Sequence, residues 1–152
     1  MSSASIKKII PCKKEQLVKM ILDIEKYPEF VPFCFDAKVY ENKNEGDLTK
    51  IIADLTIGKG PFKDTYKSDV VYNRKEDSIF VKNIDGPLNH LSNNWNFVDK
   101  ENGTTEITFD IDFEIKNKFL NSLMVVSFQF GLEKIADAFQ KRAEQLFNSS
   151  KN

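Results

Sequence analysis

The chain has 152 residues, with 22 basic and 23 acidic side chains and a formal net charge of −1. One domain of this length buries a substantial core, and the balanced charge argues against a general nucleic-acid binder, so we expect no DNA partner. The longest uninterrupted apolar run, Leu123–Val126, is far too short to span a bilayer.

The inventory of reactive side chains is small. There is one histidine, His90, and there are two cysteines, Cys12 and Cys34, so no familiar metal cluster can be assembled and we expect no metal site. Two cysteines are too few for a disulfide scaffold and suit a reducing compartment as thiols. Residues 1–8 contain no apolar segment of signal-peptide length, which predicts a cytoplasmic protein.

The beginning of the chain predicts a strand followed by a helix. Ser5–Ile10 is rich in β-branched residues and precedes a proline, which is typical of an opening or edge strand. Cys12 is expected to cap the helix, and the Glu15 side chain, at the third helical position, is placed to accept from the backbone amide of the cap. The apolar spacing of a helix continues to about Lys26, where a Tyr-Pro pair should end it.

The segment Tyr27–Cys34 is dense in aromatic residues and is stiffened by two prolines. An apolar loop of this rigidity is rarely left in water. It predicts the wall or rim of a pocket, and the alternative is a plain corner of the core between helix and strand.

About six strands in hairpin succession are predicted next. Their expected ranges are Ala37–Tyr40, Thr49–Ile57, Phe62–Tyr72, Ser78–Ile84, Leu91–Phe97 and Ile107–Ile115. The last of them alternates most regularly, which marks an antiparallel strand with one buried face. In the third, Asp64 and Ser68 fall on the inward side. Either they line a wet cavity or this strand faces partly the other way, and we favour the second.

The stretch Asn117–Phe147 predicts one long helix, because it opens on a good N-cap residue and contains no proline and a single glycine. At 1.5 Å per residue it would run roughly 45 Å. The face expected to cover the sheet comprises Leu120, Met124, Ser127, Phe128, Gly131, Ile135, Ala138, Phe139, Arg142 and Leu146. Because a buried guanidinium needs a partner, we expect Arg142 to meet an acidic group or backbone carbonyls.

A second apolar stripe lies on a different side of the same helix and consists of Phe119, Leu123, Val126 and Phe130. We expect this stripe to form a rim that meets a membrane or a partner, with the aromatic loop nearby. The alternative is that it packs beneath the first helix, against Leu17, Met20 and Ile24.

Together these elements predict an α+β fold in one domain over residues 1–152, with its core at about residues 6–147. A curved antiparallel β-sheet wraps around the long C-terminal α-helix, the only element long enough to cover it. Where the helix does not fill the concave face, a gap remains in which a ligand would bind.

Three segments in register resemble the coenzyme Q-binding START-domain family of the polyketide cyclase and lipid transport superfamily. They are Tyr27–Cys34, Asp85–Phe97 and Ala138–Ala143. The resemblance extends over almost the whole chain and also takes in the bacterial ribosome association toxin. It implies a START-like helix-grip fold with a hydrophobic tunnel, and no established catalytic residues. Phe33 departs conservatively from a tryptophan that members often carry, and the lack of an organelle presequence suggests a bacterial form.

The resemblance implies that the chain binds ubiquinone or a related isoprenoid lipid and supports respiratory electron transport as a lipid chaperone. No catalysis and no required cofactor are expected. Candidate tunnel residues are chosen by the inward face on which they lie and by the family match together. They are Phe30, Val31, Phe33, Leu55, Tyr66, Trp95, Phe113, Met124 and Phe128. Because a water-insoluble quinone does not exchange through solvent, we expect peripheral contact with the inner membrane.

Two alternative functions belong to other classes. A ribosome-directed protein that blocks association of the subunits is implied by the toxin resemblance, and Lys59, Lys63 and Lys67 would supply a local basic strip. A cyclase or hydrolase would have to use Asp64, Tyr66 and His90 as its acid–base groups. For those three residues we favour the interpretation as structural polar groups.

Overall fold

The computed structural model describes residues 2–59, 61–86 and 88–148, with all their side chains except those of residues 2, 59, 62, 120, 123–128 and 148. The helices are α1 (Lys14–Leu22) and α2 (Lys118–Ala143), with a 3-10 turn at Ile24–Glu29, another at Glu101–Gly103 and a π turn at Glu144–Asn148. The strands are β1 (Ser2–Ile10), β2 (Cys34–Glu45), β3 (Leu48–Lys59), β4 (Phe62–Asn73), β5 (Ser78–Asp85), β6 (Leu88–Asp99) and β7 (Thr105–Ile115).

The strands form a seven-stranded antiparallel sheet in the order β1-β7-β6-β5-β4-β3-β2. Strands β2 to β7 succeed one another as hairpins. The last strand, β7, also pairs with β1 along the whole length of β1, from Ser2 opposite Phe113 to Ile10 opposite Thr105. The predicted α+β architecture, a curved antiparallel sheet with a long C-terminal helix, is thereby confirmed.

The inward faces of the strands are the predicted ones. Ile107, Phe109 and Phe113 of β7 are buried. On β4, Ser68 is fully buried and its hydroxyl donates to the carbonyl of Ala53 at 3.2 Å, whereas Asp64 is exposed. The favoured interpretation of β4 is therefore wrong at Ser68: the strand keeps its face inward there, because the neighbouring strand's carbonyl satisfies the hydroxyl.

The first helix begins and ends differently from the prediction. Lys13 is the N-cap, and the side chain of Gln16 accepts from its backbone amide at 3.0 Å. Cys12, the expected cap, is buried in the core instead, and its carbonyl accepts from the Thr105 hydroxyl. The α-helix ends at Leu22, earlier than expected, and a 3-10 turn carries the chain through the Tyr-Pro pair.

In the second half of α2, the buried face is rotated from the predicted one by about one residue, or about 100°. Among the side chains that the structure describes there, the buried ones are Leu132, Ala136, Phe139 and Ala143, so only Phe139 belongs to both sets. Leu146, predicted on the covered face, is 50% exposed. The rotation brings small alanine side chains towards the sheet and leaves Arg142 at the edge, where a charge can be paired.

Candidate functional site

The second half of α2 is closed onto the sheet by an aromatic group that we call the Phe139 cluster. The ring of Phe139 makes edge contacts with Tyr27, Phe30 and Trp95 at centroid distances of 5.7, 5.2 and 5.5 Å. Trp95 in turn contacts Phe109 at 4.4 Å. Such contacts contribute beyond the area they bury, so this part of the interface is tightly held.

Very little space remains within the Phe139 cluster. The cavity there has a volume of about 10 Å³ and is lined by Ile6, Trp95, Ile107, Phe109, Leu132, Ile135, Ala136 and Phe139. This is room for about one water molecule. A lipid would therefore have to bind elsewhere along the helix.

A second buried group, the Tyr66 cluster, lies on the same face of the sheet towards the end of β7 that leads into α2. Its members Tyr66, Leu88, Leu91 and Phe113 are all at most 8% exposed. The partly buried residues packed against it are Leu55, Ile57, Val81, Ile111 and Ile115. Together these residues form an apolar patch on the inner face of the sheet.

The start of α2 is fastened beside the Tyr66 cluster. The side-chain carbonyl of Asn121 accepts from the backbone amide of Ile115 at 3.1 Å, which fixes the first helical turn against the end of β7. A cleft of about 290 Å³ lies here, lined by Asn89, Glu114, Ile115, Lys116, Lys118, Asn121 and Ser122. Because Ile115 borders both the cleft and the cluster, the polar cleft adjoins the apolar lining.

The aromatic loop meets α2 at its single glycine. A Cβ at Gly131 would lie 3.6 Å from Cε2 of Phe33, so the Phe33 ring packs on the helix backbone there. Phe33 has a φ of 70°, a left-handed conformation that is strained for a bulky residue. Its carbonyl accepts from the Gly58 amide at 2.9 Å, which helps to hold this conformation. Phe30 and Val31 pack against the core, so the loop is both a core corner and a wall against the helix.

Arg142 has the acidic partner that was predicted. Its guanidinium donates to Glu29 at 2.8 Å and lies 4.9 Å from the centroid of the Phe30 ring. The hydrogen bond from Arg142 is the main cause that lowers the pKa of Glu29. The pair ties the end of α2 to the 3-10 turn before the aromatic loop.

The structure separates the candidate tunnel residues. Phe30, Val31 and Trp95 pack with the Phe139 cluster, and Tyr66 and Phe113 belong to the Tyr66 cluster. Leu55 contacts both, while the side chains of Met124 and Phe128 lie outside the described part.

Sequence reasoning did not single out Leu88 and Leu91 as site residues. The alternation that selected Trp95 also places Leu91 on the inward face, so that signal was available. Leu88 lies before a register shift between positions 88 and 90, where simple alternation fails.

Two members of the second stripe of α2 are exposed. Phe119 is 69% and Phe130 is 62% exposed, and the Lys134 ammonium lies 4.7 Å from the Phe130 ring centroid. Packing beneath α1 is therefore wrong for these two residues. The side chains of Leu123 and Val126 are outside the described part.

The three acid–base candidates do not form a constellation. Asp64 is exposed and accepts from the amide of Thr65, and His90 contacts the Ser92 hydroxyl at 3.4 Å. Burial raises the pKa of Tyr66, so its hydroxyl stays protonated at neutral pH. Among the described residues no hydrogen bond joins any two of the three.

Two lysines of the proposed basic strip contact aromatic rings, and both cysteine thiols are buried. The Lys63 and Lys67 ammoniums lie over the rings of Phe35 and Tyr40, at 4.0 and 4.9 Å, and the Lys59 side chain is outside the described part. Cys12 and Cys34 are free and buried, and burial raises the pKa of each thiol to about 11.

The described part of the chain offers neither a metal cluster nor a membrane-spanning helix. Residues 2–59, 61–86 and 88–148 contain no group of three or more His, Cys, Asp and Glu side chains placed to hold a metal ion. No helix in those ranges is long and apolar enough to cross a membrane.

Solved structures share this architecture. A START superfamily protein from Mycobacterium smegmatis superposes with a TM-score of 0.80 at 21% identity, over 95% of this chain and 98% of that one. The Zhui aromatase/cyclase from Streptomyces also gives a TM-score of 0.80, at 11% identity over 98% and 97% of the two chains. At these identities the likeness establishes the START-like helix-grip fold alone.

Sequence comparison adds the family. The ribosome association toxin RatA of Rickettsia prowazekii is 30% identical over 142 residues, which cover 91% of this chain and 94% of that protein. The mitochondrial coenzyme Q-binding protein COQ10 of Dictyostelium discoideum is 32% identical over 139 residues, 89% of this chain and 65% of that protein. The profile of polyketide cyclase/dehydrase and lipid transport proteins matches residues 10–140. The chain belongs to the polyketide cyclase/dehydrase and lipid transport family.

Proposed function

We propose that the chain binds a hydrophobic ligand, an isoprenoid quinone of the ubiquinone type, between the sheet and the first half of α2, and acts as a lipid chaperone for respiratory electron transport. The observation that carries this proposal is the Tyr66 cluster, an apolar group on the inner face of the sheet that adjoins the start of α2 through Ile115. Similarity to a protein named as coenzyme Q-binding supports the choice of a quinone.

The proposed role is binding without catalysis and without a required cofactor. An acid–base mechanism needs groups within hydrogen-bond reach of one reacting centre. Asp64 is exposed while Tyr66 is buried, and His90 contacts a serine, which does not supply such a centre. The quinone enters this proposal as cargo.

Exchange of a water-insoluble ligand would take place at a membrane surface. Phe119 is the most exposed large apolar residue described, and Lys116 and Lys118 are its close neighbours in sequence, at the cleft beside the Tyr66 cluster. An exposed aromatic ring flanked by cations suits an anionic bilayer surface. We include Phe130, with Leu123 and Val126 between them, in the proposed rim for peripheral contact with the inner membrane.

The ligand proposal is tested with the protein's own fluorescence. Trp95 is the single tryptophan and lies on the ligand-facing side of the sheet, 8% exposed. Titration with decylubiquinone should quench it saturably, because a bound quinone accepts excitation energy or an electron from a nearby indole. Absence of saturable quenching, together with no lipid in mass spectra of extracts from freshly purified protein, would refute quinone binding.

A matched pair of variants on β6 locates the site. Leu91 is 6% exposed in the Tyr66 cluster, whereas Val98 is 50% exposed. Leu91→Asn should weaken decylubiquinone binding about tenfold or more, because it puts an amide into the apolar lining, and Val98→Asn should leave it unchanged. Circular dichroism checks that both variants fold, and equal affinities for the two would place the ligand elsewhere.

A ribosome-directed role is the second candidate. It is supported by similarity to a protein named ribosome association toxin. It is also supported by exposed rings with ammoniums over them, since Lys38 and Lys67 lie 5.0 and 4.9 Å from the Tyr40 ring centroid. Aromatic faces flanked by cations suit unpaired RNA. Salt-sensitive co-sedimentation with ribosomal subunits, lost in a Lys38→Glu/Lys67→Glu double variant, is the expected result under this alternative.

A further inference from the structure

The cleft at the start of α2 has a lining that suits a polar head group rather than a whole lipid. It is bounded by the start of β6, the end of β7 and the first turns of α2. Of the seven residues that line it, six are polar or charged and one, Ile115, is apolar. Its volume of about 290 Å³ lies at the small end of the range for ligand pockets. Acyl chains would find few apolar contacts here, whereas a hydrophilic head group fits.

The charge of the cleft is positive, although the whole chain carries a net charge of −1. Lys116 and Lys118 bring two ammoniums against the single carboxylate of Glu114, which makes a net charge of +1 for the lining. That carboxylate accepts a hydrogen bond from the side chain of Asn89 at 3.3 Å. None of the ion pairs among the described residues involves either lysine. Both ammoniums can therefore bind an anion that comes from outside the protein.

An exposed aromatic ring adjoins the two lysines. Phe119 follows Lys118 directly in the first turn of α2 and is 69% exposed, the largest exposed fraction among the large apolar residues described. The ring is not part of the cleft lining, so it lies beside the cations rather than between them. In this arrangement the ring can enter the acyl-chain region of a bilayer while the ammoniums stay at the level of the phosphates.

The cleft is held in shape by hydrogen bonds within the protein. The side-chain oxygen of Asn121 accepts from the Ile115 amide at 3.1 Å, and the hydroxyl of Ser122 donates to the Lys118 carbonyl at 3.0 Å. These bonds fix the first turns of α2 on the end of β7 before any lipid binds, which lowers the entropic cost of binding. Because Ile115 also packs against the Tyr66 cluster, a head group in the cleft would lie beside that cluster.

We propose that the cleft binds the phosphate head group of an anionic membrane phospholipid, with Lys116 and Lys118 as its cations and Phe119 inserted into the bilayer next to it. This inference rests on the proposed function and deepens it, because it names the lipid class of the membrane partner and the side of the molecule that meets it. A protein with a net negative charge approaches an anionic bilayer only through a local cationic region. Binding at the cleft therefore also turns the Tyr66 cluster towards the membrane, where the quinone is exchanged.

The test is co-sedimentation at low salt with phosphatidylcholine vesicles that contain or lack phosphatidylglycerol. The wild type should bind the anionic vesicles at least about tenfold more tightly. Lys116→Gln/Lys118→Gln should remove most of this preference, because each lysine near an anionic surface contributes about fivefold. The matched control is Lys75→Gln/Lys100→Gln, which changes the net charge equally in turns at the opposite end of the sheet and should keep the preference.

A second pair of variants tests the aromatic ring. Phe119→Ala should weaken binding to the anionic vesicles about tenfold, as expected when one inserted apolar side chain is withdrawn. Phe80→Ala removes a ring that is 45% exposed on β5 and should have no effect on vesicle binding. Circular dichroism checks that all variants are folded. Equal losses in the two phenylalanine variants would contradict insertion at the cleft.

Other outcomes would overturn the head-group site itself. Equal binding of the wild type to the two kinds of vesicle, or equal losses in the two double lysine variants, would do so. Full competition by inorganic phosphate, at a concentration equal to that of the lipid phosphate, would assign the cleft to a free anion. Binding of a uridine oligomer that is lost in Lys116→Gln/Lys118→Gln, without vesicle binding by the wild type, would assign it to RNA.

Failure of the proposed function gives a different result. The decylubiquinone titration of Trp95 fluorescence needs no vesicles, so it reports quinone binding independently of membrane contact. A wild type that binds anionic vesicles through the cleft but shows no saturable quenching would refute the quinone proposal and keep the head-group site. Saturable quenching without any preference for anionic vesicles would refute the head-group site and keep the quinone proposal.

Discussion

The two buried clusters on the concave face differ in residue composition and in packing. The Phe139 cluster joins aromatic rings edge to face across helix, loop and sheet, and leaves a cavity of about 10 Å³. The Tyr66 cluster joins aliphatic side chains, one phenylalanine and the phenol of Tyr66. Under the proposed function, the Phe139 cluster stabilises the fold and the Tyr66 cluster contacts the ligand.

The largest expected effect contrasts the clusters in stability. Phe139→Ala should lower the free energy of unfolding by about 3–5 kcal/mol, because a fully packed ring leaves a cavity behind. Phe113→Ala should cost about 1.5–3 kcal/mol, the transfer contribution alone, because the outer residues packed against its cluster are only partly buried and can relax into the space. Urea unfolding measures both, with Phe80→Ala, 45% exposed, as the surface control. Equal losses at both sites would remove the distinction, and losses below about 1 kcal/mol at both would mean that helix and sheet do not meet there.

The sequence predicted the sheet well because period-2 alternation is a local property of each strand. Ile107 to Ile115 show this clearly, since residues with alternating polarity leave only one face to bury. Gly46, with a φ of 62°, likewise ends a strand by its own conformational freedom.

The face of α2 was harder to predict, because its choice is tertiary. Several apolar stripes compete on this helix, and the ring contacts of Phe139 and the pairing of Arg142 with Glu29 decide between them. What could be predicted of the site was its apolar character and the strand positions that face it.

The junction between the two halves of α2 supplies the next test. Gly131→Ala should raise the free energy of unfolding by about 0.5–1 kcal/mol, because alanine is the better helix former. The added Cβ would meet the Phe33 ring at 3.6 Å, an ordinary contact distance. Chemical unfolding measures the change. A loss of stability instead would show that the Phe33 ring cannot move away from the added Cβ. Glycine at this position would then be needed for the aromatic loop to pack against α2.

A smaller effect is expected at the edge of the Phe139 cluster. Arg142→Met keeps an apolar stem but removes the guanidinium that lies 4.9 Å from the Phe30 ring. Loss of the cation–π contact should cost about 0.5–1 kcal/mol. Binding of decylubiquinone should not change, because Arg142 belongs to the closed half of the helix. Thermal melts and the Trp95 titration check the two statements, and weakened ligand binding in this variant would extend the site into the Phe139 cluster.

The smallest expected effect is the pH dependence of the pair between Arg142 and Glu29. Arg142 holds the pKa of Glu29 below its ordinary value of 4.5, so the folded state binds fewer protons than the unfolded chain in that region. The contribution of this pair to stability is therefore present above pH 4.5 and is lost as the pH falls through the lowered pKa. The difference in melting temperature between the wild type and Arg142→Met should accordingly shrink between neutral pH and about pH 3, by the part that the ion pair contributes. The difference between the wild type and Glu29→Gln should shrink in the same range, because that variant lacks the titrating carboxyl. A difference that stays constant across this range would assign the whole effect of Arg142 to its contact with Phe30, and would leave the Phe139 cluster closed by aromatic packing alone.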